Sequence, residues 1–366
     1  MYSNDKRIVI TLDAGGTNFV FGAMQANRPI VEPITYPSNA DDLALCLQTM
    51  VKGFKEVIAK CPEKPVAISF AFPGPADYPN GIIGGYLPNF PSFREGVALG
   101  AFLEGEFGVP VFINNDGDLF AYGEALGGAL PAINARLREM GSNKQYKNLI
   151  GYTFGTGFGV GIVIDRRLNE GDNSCVETFC LPNKLLDGII VEEGVSVRGI
   201  KRVYGTLSGN MEHGLEPKDI FEIAEGKREG DAEAARKAFE MMGTTAGNAM
   251  AIAASLIDGV IVIGGGITAA RKYIMPTLLK ELRSTLRTVA GEEVSRVQPV
   301  IYDLDDDAQF EQFARGQARP LKVFGSDRVV EYDPHKRLGV SISKLGASNA
   351  IAIGAYAFAL SKLDRK

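Results

Sequence analysis

The chain has 366 residues, of which 45% are hydrophobic and 23% charged, with a formal net charge of −5. This is the make-up of a soluble globular protein of about two domains, without the basic face that nucleic acid or anionic lipid requires, so neither is expected as a partner. Four cysteines exclude a disulfide scaffold and point to a reducing, cytoplasmic compartment.

Met1 to Leu12 lacks the apolar run of a signal peptide, and no stretch approaches 18 apolar residues. Arg7 to Leu12 and Asn18 to Met24 read as the strands of a hairpin about the turn Asp13-Ala14-Gly15-Gly16-Thr17. The spacing of Leu43, Leu47, Met50, Val51, Phe54, Val57 and Ile58 predicts a helix over Ser38 to Lys60, capped by Ser38 or Asn39. A buried strand, Pro65 to Phe72, leads into a loop rich in glycine and proline that runs to about Ser92. A short helix and the strand Val109 to Ile113 then reach Asn114-Asn115-Asp116.

The opening pattern returns near residue 150, with strands Asn148 to Phe154 and Phe158 to Ile164 about the turn Gly155-Thr156-Gly157. Two such hairpins predict two related α/β halves facing a shared cleft. Helices follow at Lys218 to Ala224 and Asp231 to Ile257, then a strand, Gly259 to Ile263, entering Gly264-Gly265-Gly266. Tyr273 to Ala290 reads as a helix, Asp303 to His335 as an insertion without periodicity, and Ala347 to Leu363 as an alanine-rich helix.

Glycine is in excess, 43 residues where an average share of about 7% gives roughly 26. With 18 prolines and no three-residue period, neither collagen nor a linker accounts for it. The surplus collects where strands end. There glycine lets main-chain N–H groups approach an anion closely, although each cluster taken alone is explained as well by a tight turn. Three clusters after β runs, each beside a hydroxyl (Thr17, Thr156, Thr268), favour phosphate, yet none fits a Walker A or Rossmann pattern. Asp13 beside such a turn suits a water-mediated Mg²⁺ ligand or an Asx-turn residue. Asp116, past the end of a strand, suits a helix N-cap or a general base for phosphoryl transfer.

These motifs resemble the ROK family (repressors, open reading frames and kinases) of the actin-like, hexokinase-like superfamily. Asp13-Ala14-Gly15-Gly16-Thr17-Asn18 is similar to its first phosphate motif, and Phe154-Gly155-Thr156-Gly157 to its second. Asn115-Asp116-Gly117-Asp118 is similar to the segment with the catalytic aspartate, and Ile263-Gly264-Gly265-Gly266-Ile267 to the adenosine motif. The resemblance implies two actin-like (ribonuclease H-like) domains of mixed sheets flanked by helices: 1–115 joined by a C-terminal helix at about 346–366, and 116–345 with an insertion at 303–335. It also implies a homodimer and ATP- and Mg²⁺-dependent phosphorylation of a hexose or amino-sugar. Asp116 would be the base, and Asn89, Asn115, Asp116, Glu177 and Glu192 would line the sugar. Asp13, Gly15, Gly16, Thr17, Asn18, Gly155, Thr156, Gly157 and Gly264 to Gly266 would hold the nucleotide, with Mg²⁺ on Asp13 through water.

The departures fall in one stretch. Cys180 stands where the family has a sugar-contacting, zinc-binding histidine, neither His213 nor His335 replaces it, and the cysteine run that completes the zinc site is missing from Leu181 to Val191. Zinc is therefore not expected, and the pair Cys175 and Cys180 has no companion ligand nearby. Ser196 keeps its family spacing from Glu192, while Asp118 replaces an asparagine. Two other readings stand beside the kinase: a sugar-binding regulator without turnover, which would lack the helix-turn-helix of family repressors, and an acetate-type kinase or bare ATPase.

Overall fold

In the computed structural model, which describes residues 1–212 and 214–365, the chain divides into two compact units. The first holds Met1–Pro131, Val160–Val176 and the stretch from Lys344 onward; the second holds Ala132–Gly159 and Glu177–Ser343. This division differs from one at residue 115, because the helix that follows packs within the first unit. His213 lies outside the described residues. Among the described residues no helix is long and apolar enough to cross a membrane.

The first unit opens with β1 (Val9–Ala14), β2 (Asn18–Gln25), β3 (Arg28–Pro29) and β4 (Ile34–Pro37), then α1 (Leu43–Lys60), β5 (Ala67–Ala71), β6 (Ala76–Asp77), β7 (Ile82–Ile83), α2 (Leu99–Phe107), β8 (Val111–Asn114) and α3 (Asp116–Leu126). Its sheet runs β3-β2-β1-β5-β8, with β4 also on β2. β1 and β2 are antiparallel; β1, β5 and β8 are parallel. Asp13 pairs with Val20 and Ala14 with Phe19. β1 thus runs two residues past its expected end, and the turn proper is Gly15 to Thr17.

Alternation along β2 buries Phe19, Phe21 and Ala23 in one cluster with Met50, Phe54 and Val57 of α1. Phe21 and Phe54 meet edge to face at 5.1 Å. Helix α1 starts five residues later than expected. Asp42 caps it, accepting from the Leu45 N–H at 3.0 Å, because Ser38 is buried and bonded elsewhere: its N–H goes to the Thr17 carbonyl at 3.0 Å and its hydroxyl to the Gly16 carbonyl. The loop expected to Ser92 carries β6 and β7 and sends Leu87, Phe90 and Phe93 into the core.

The chain continues through α4 (Ala129–Glu139), β9 (Leu149–Phe154), β10 (Phe158–Ile164), β11 (Arg167–Leu168), α5 (Val197–Ser208), α6 (Pro217–Ala224), α7 (Ala232–Ile257), β12 (Val260–Gly264), α8 (Arg271–Leu282), β13 (Thr285–Arg287), β14 (Glu293–Ser295), β15 (Val300–Asp303), α9 (Asp307–Arg315), β16 (Arg319–Lys322), β17 (Val329–Tyr332), β18 (Arg337–Ile342) and α10 (Ala347–Leu363). In the second unit β9, β12, β18 and β15 are successive parallel neighbours. In the first unit α10 lies against α3 at backbone distance: a Cβ on Gly123 would fall 1.9 Å from the Ala350 carbonyl oxygen, and one on Gly354 1.8 Å from that of Leu119. Glycine is required on both helices for this approach.

Two expectations are corrected. The helix expected to Ala290 ends at Leu282, and the chain turns into the hairpin of β13 and β14. The β-branched Thr285, Thr288 and Val289 favour extended backbone, and Gly291 supplies a left-handed turn at φ +88°. Residues 303–335 are not all insertion: α9 buries Phe310 and Phe313, and Phe313 stacks on Tyr146 at 5.1 Å. A helix of two and a half turns is too short to print a periodic signal.

Candidate active site

In the first unit the Gly15–Thr17 turn is closed by the Gly15 N–H bonding to the Asn18 carbonyl at 3.1 Å. Asp13, Gly15, Gly16, Thr17 and Asn18 are all exposed. Asn89 meets this turn: a Cβ on Gly16 would lie 2.9 Å from the Asn89 Cβ. The buried neighbours Leu87 and Phe90 anchor the segment, Phe90 packing on Phe72 at 4.6 Å and stacking with Phe19 at 6.0 Å. They leave Asn89 presented to solvent. Ser38, read from the sequence as a helix cap, instead braces the turn from behind.

Asn115 and Asp116 stand where β8 becomes α3. Asn115 is the N-cap, its side chain accepting from the Asp118 N–H at 2.6 Å. Asp116 is the first helical residue, and its Oδ1 accepts from the Gly117 N–H at 2.9 Å. The expected N-cap role of Asp116 thus falls to Asn115, which frees the Asp116 carboxyl from capping. That carboxyl keeps an accessible face yet is closely surrounded by protein. Desolvation, with a further contribution from the Asp13 charge, raises its pKa above the ordinary aspartate value, against the lowering effect of the Gly117 N–H.

In the second unit the Gly155–Gly157 turn follows β9 and is closed by the Gly155 N–H on the Gly157 carbonyl at 3.2 Å. Glu192 comes to this turn. Its Oε2 accepts from the Phe158 N–H at 3.0 Å, and Arg198 donates to its Oε1 at 2.6 Å. A Cβ on Gly157 would sit 2.8 Å from that Oε2, so a side chain here would have to displace the carboxylate from the turn. Ser196 caps α5, accepting from the Gly199 N–H at 3.3 Å and donating to the Glu192 carbonyl at 2.7 Å. The Val197 N–H donates to the Gly155 carbonyl at 3.0 Å. The N-terminus of α5 therefore adjoins the turn, and a helix N-terminus is a ready anion site. Sequence reasoning missed it, although a serine before the run Val197 to Ser208 is a capping signal.

The Gly264–Gly266 turn is contiguous with this one. A Cβ on Gly265 would lie 2.2 Å from the Phe154 carbonyl oxygen, and Gly265 has φ +96°. Thr268 gives its hydroxyl to the Gly265 carbonyl at 2.7 Å, so that hydroxyl serves the turn. Gly155 and Gly266 differ: neither has a left-handed φ, and no protein atom would come within 4 Å of a Cβ there. The fold itself gives no reason for glycine at these two positions.

Glu177 precedes the buried Thr178 in a loop that runs beside Glu192, whose N–H bonds to the Phe179 carbonyl at 3.3 Å. The following stretch, 181–191, is fastened by side chains. Asn183 is buried and receives the Leu185 N–H at 2.9 Å, while Lys184 holds both oxygens of the buried Glu281 at 2.6 and 2.7 Å. Arg296 pairs with the same carboxylate and with Asn248 Oδ1 at 2.6 Å. Cys175 and Cys180 are exposed thiols. Among the described residues no group of three or more His, Cys, Asp or Glu is placed to hold a metal ion.

The model of the ROK family matches residues 9–178 and 187–309. A glucokinase from Parabacteroides distasonis, solved by crystallography, is 58% identical, with 99% of each chain covered and a TM-score of 0.90. An N-acetyl-D-glucosamine kinase from Yersinia enterocolitica is 25% identical over 296 residues, 76% of this chain and 90% of that one. A ROK glucokinase from Streptomyces griseus, solved with glucose and AMPPNP, is 21% identical, with 96% and 98% covered and a TM-score of 0.59, a likeness of fold.

Proposed function

The chain belongs to the ROK family, and we propose that within it this protein is a sugar kinase that transfers the γ-phosphoryl group of ATP to a hydroxyl of a hexose, glucose first among them. The observation that carries the reading is Asp116: a reachable carboxyl at the carboxyl end of β8, with its pKa raised toward the range in which a carboxylate accepts a proton efficiently. The Parabacteroides distasonis relative, a glucokinase at 58% identity over 99% of both chains, supports the choice of sugar.

Asp116 accepts the proton of the attacking hydroxyl as the phosphoryl group moves, and Asn89 and Asn115 with Glu177 and Glu192 bond the other hydroxyls of the sugar, which must all be paired in a desolvated site. Glu192 has a second task, since it links the Phe158 N–H to Arg198 and so ties the sugar set to the glycine turn. Phosphate oxygens are received by the amides of Gly15 to Asn18 and Gly155 to Gly157, helped by the N-terminus of α5, and adenosine by Gly264 to Gly266. Asp13 suits Mg²⁺, because its exposed carboxylate supplies the single hard oxygen ligand that this ion, otherwise held by water and phosphate, asks of a protein. The ion, when bound, neutralises phosphate charge. The protein acts as a homodimer.

ADP release, followed by a coupled assay over glucose, mannose and their 2-amino and 2-acetamido derivatives, tests the proposal. Turnover with at least one sugar is expected, and Asp116→Asn lowers it by about 10² to 10⁴. Sugar binding by calorimetry without turnover would replace the kinase by a sensor, and ATP hydrolysis that no sugar stimulates would replace it by an ATPase.

A further inference from the structure

Two hairpins of the second unit serve no part of the proposed chemistry. β13 pairs with β14, and β16 with β17, and every residue of these four strands is exposed. Each hairpin rejoins the sheet in the same way. Ser295 ends β14 before β15 begins at Val300, and Tyr332 ends β17 before β18 begins at Arg337. Val300 and Arg337 are register partners in adjacent parallel strands. Both hairpins therefore spring side by side from the amino ends of β15 and β18. The glycine turns follow the carboxyl ends of β9 and β12, parallel strands of the same sheet, so the hairpins stand at the end remote from those turns and cannot serve as a lid over them.

Their bases are rigid. Arg296 is bound to the buried Glu281 below the first hairpin. Below the second, the buried Arg337 pairs with Asp333 and donates to the Phe313 carbonyl at 2.6 Å. Their blades are apolar and uncovered: Val289 is 110% exposed, Phe324 104%, Leu286 58% and Val329 57%, relative to an extended reference. An isolated two-stranded ribbon is at best marginally stable in water, and exposed strand edges invite pairing. Large apolar side chains exposed together on two neighbouring hairpins mark an interface.

We infer that the two hairpins are the arms of a homodimer interface, each pair packing on its two-fold mate. Charge selects the occupant. Arg287 pairs with Glu293 and Lys322 with Asp327, both at 3.3 Å, within the hairpins themselves. Over the two hairpins together Arg287, Arg319, Lys322 and Arg328 offset Glu292, Glu293, Asp327 and Glu331, so the arms carry no net charge for nucleic acid, anionic lipid or an acidic protein, and such a surface is complementary to its own copy. Size agrees. A hairpin arm is roughly 20 Å long and 10 Å wide, so each face offers about 200 Å² and the four faces about 800 Å², the share one partner brings to a stable interface of standard size.

This inference rests on the homodimer reading above and not on the kinase reading. Sedimentation velocity of the full chain at micromolar concentration tests it, on wild type, on Phe324→Asp with Val329→Asp, and on Leu286→Asp with Val289→Asp. Wild type is expected to be a dimer, and each double variant to weaken dimerisation about 100-fold, with unchanged circular dichroism and unchanged glucose turnover per subunit. A monomeric wild type overturns the homodimer reading and this inference together. A dimer that neither double variant weakens overturns the inference alone.

Discussion

A Cβ on Gly161 would fall 2.3 Å from the carbonyl oxygen of Gly117 and 2.7 Å from the Ala121 Cβ. Gly117 in turn leaves no room for a side chain beneath the Val160 carbonyl, 2.5 Å away. The first turn of α3, which begins with Asp116, is thus seated against β10 backbone to backbone. What holds the proposed base in place is the absence of two side chains.

Gly161→Ala pushes that turn outward. The obstructing atoms are main chain and cannot rotate away, so the cost is about 1–3 kcal/mol, the usual range for overpacking. Displacement of Asp116 by about an ångström lowers kcat by up to about 100-fold. Gly105→Ala, in α2 with nothing within 4 Å of the new Cβ, is the control and gains about 0.5–1 kcal/mol. Urea unfolding and steady-state turnover of the two variants check both numbers.

Asp116→Asn lowers kcat by about 10² to 10⁴ and leaves the apparent affinity for sugar within a few-fold. Its effect on stability has the opposite sign. The folded pKa lies above the ordinary 3.8, so between those two values the native state binds more protons than the unfolded chain, and this group's contribution falls as pH rises. At neutral pH the ionised carboxylate is therefore destabilising, and the variant melts higher than wild type, with the gap closing as pH falls toward 3.8. Because the base must be ionised to act, the acid limb of kcat/KM lies above pH 3.8. Melting curves and a pH–rate profile read the two effects separately.

Gly155→Ala and Gly266→Ala separate ligand from fold. A methyl group at either position meets no protein atom, so unfolding midpoints without nucleotide stay within about 0.5 kcal/mol of wild type. If phosphate and adenosine approach these backbones, KM for ATP rises by about tenfold or more while KM for sugar changes little. An unaltered ATP dependence in both variants would remove the turns from the nucleotide site.

Glu281→Ala leaves the half-buried Arg296 without its carboxylate, and the loss costs about 3 kcal/mol, the low end of the range for breaking a buried pair. Lys184 is more open, with 42% of its side chain exposed, so Lys184→Met costs about 1 kcal/mol or less. Its effect is local: the 181–191 stretch loosens between Glu177 and Glu192, and KM for sugar rises several-fold with KM for ATP unchanged. Denaturant titration and two-substrate kinetics distinguish the pair from a merely structural tie, which would alter both KM values or neither.

Much of this architecture is legible in the residues. Strands such as Phe158–Ile164 and the helix Ala347–Leu363 are bounded in the structure where apolar runs meet glycine or charge. Ser38 was misread because a serine before a helical pattern has two uses, and only the placement of the Gly15–Thr17 turn decides between them. The 285–295 hairpin was misread because Leu286 and Val289 look like one face of a helix until their exposure is known. Glu192 was legible as a candidate sugar-lining acid, but its bond to the Phe158 N–H joins residues 34 apart in the chain.

The amino-acid sequence by itself determined the family and the order of the glycine turns, and singled out Asp13, Asn89, Asn115 and Asp116 as candidates, because these depend on residue type and spacing along one chain. Only the tertiary structure decided which glycines the fold requires and at which it leaves open space. It likewise decided that Asn115 rather than Asp116 caps α3, that the protein packed around the Asp116 carboxyl raises its pKa, and that Lys184, Glu281 and Arg296 fasten the stretch where the family's cysteines are missing. The cap depends on the local backbone of the β8–α3 junction, and the others on distances between segments remote in sequence. Desolvation and close approach are properties of a packed volume and cannot be read from the order of residues.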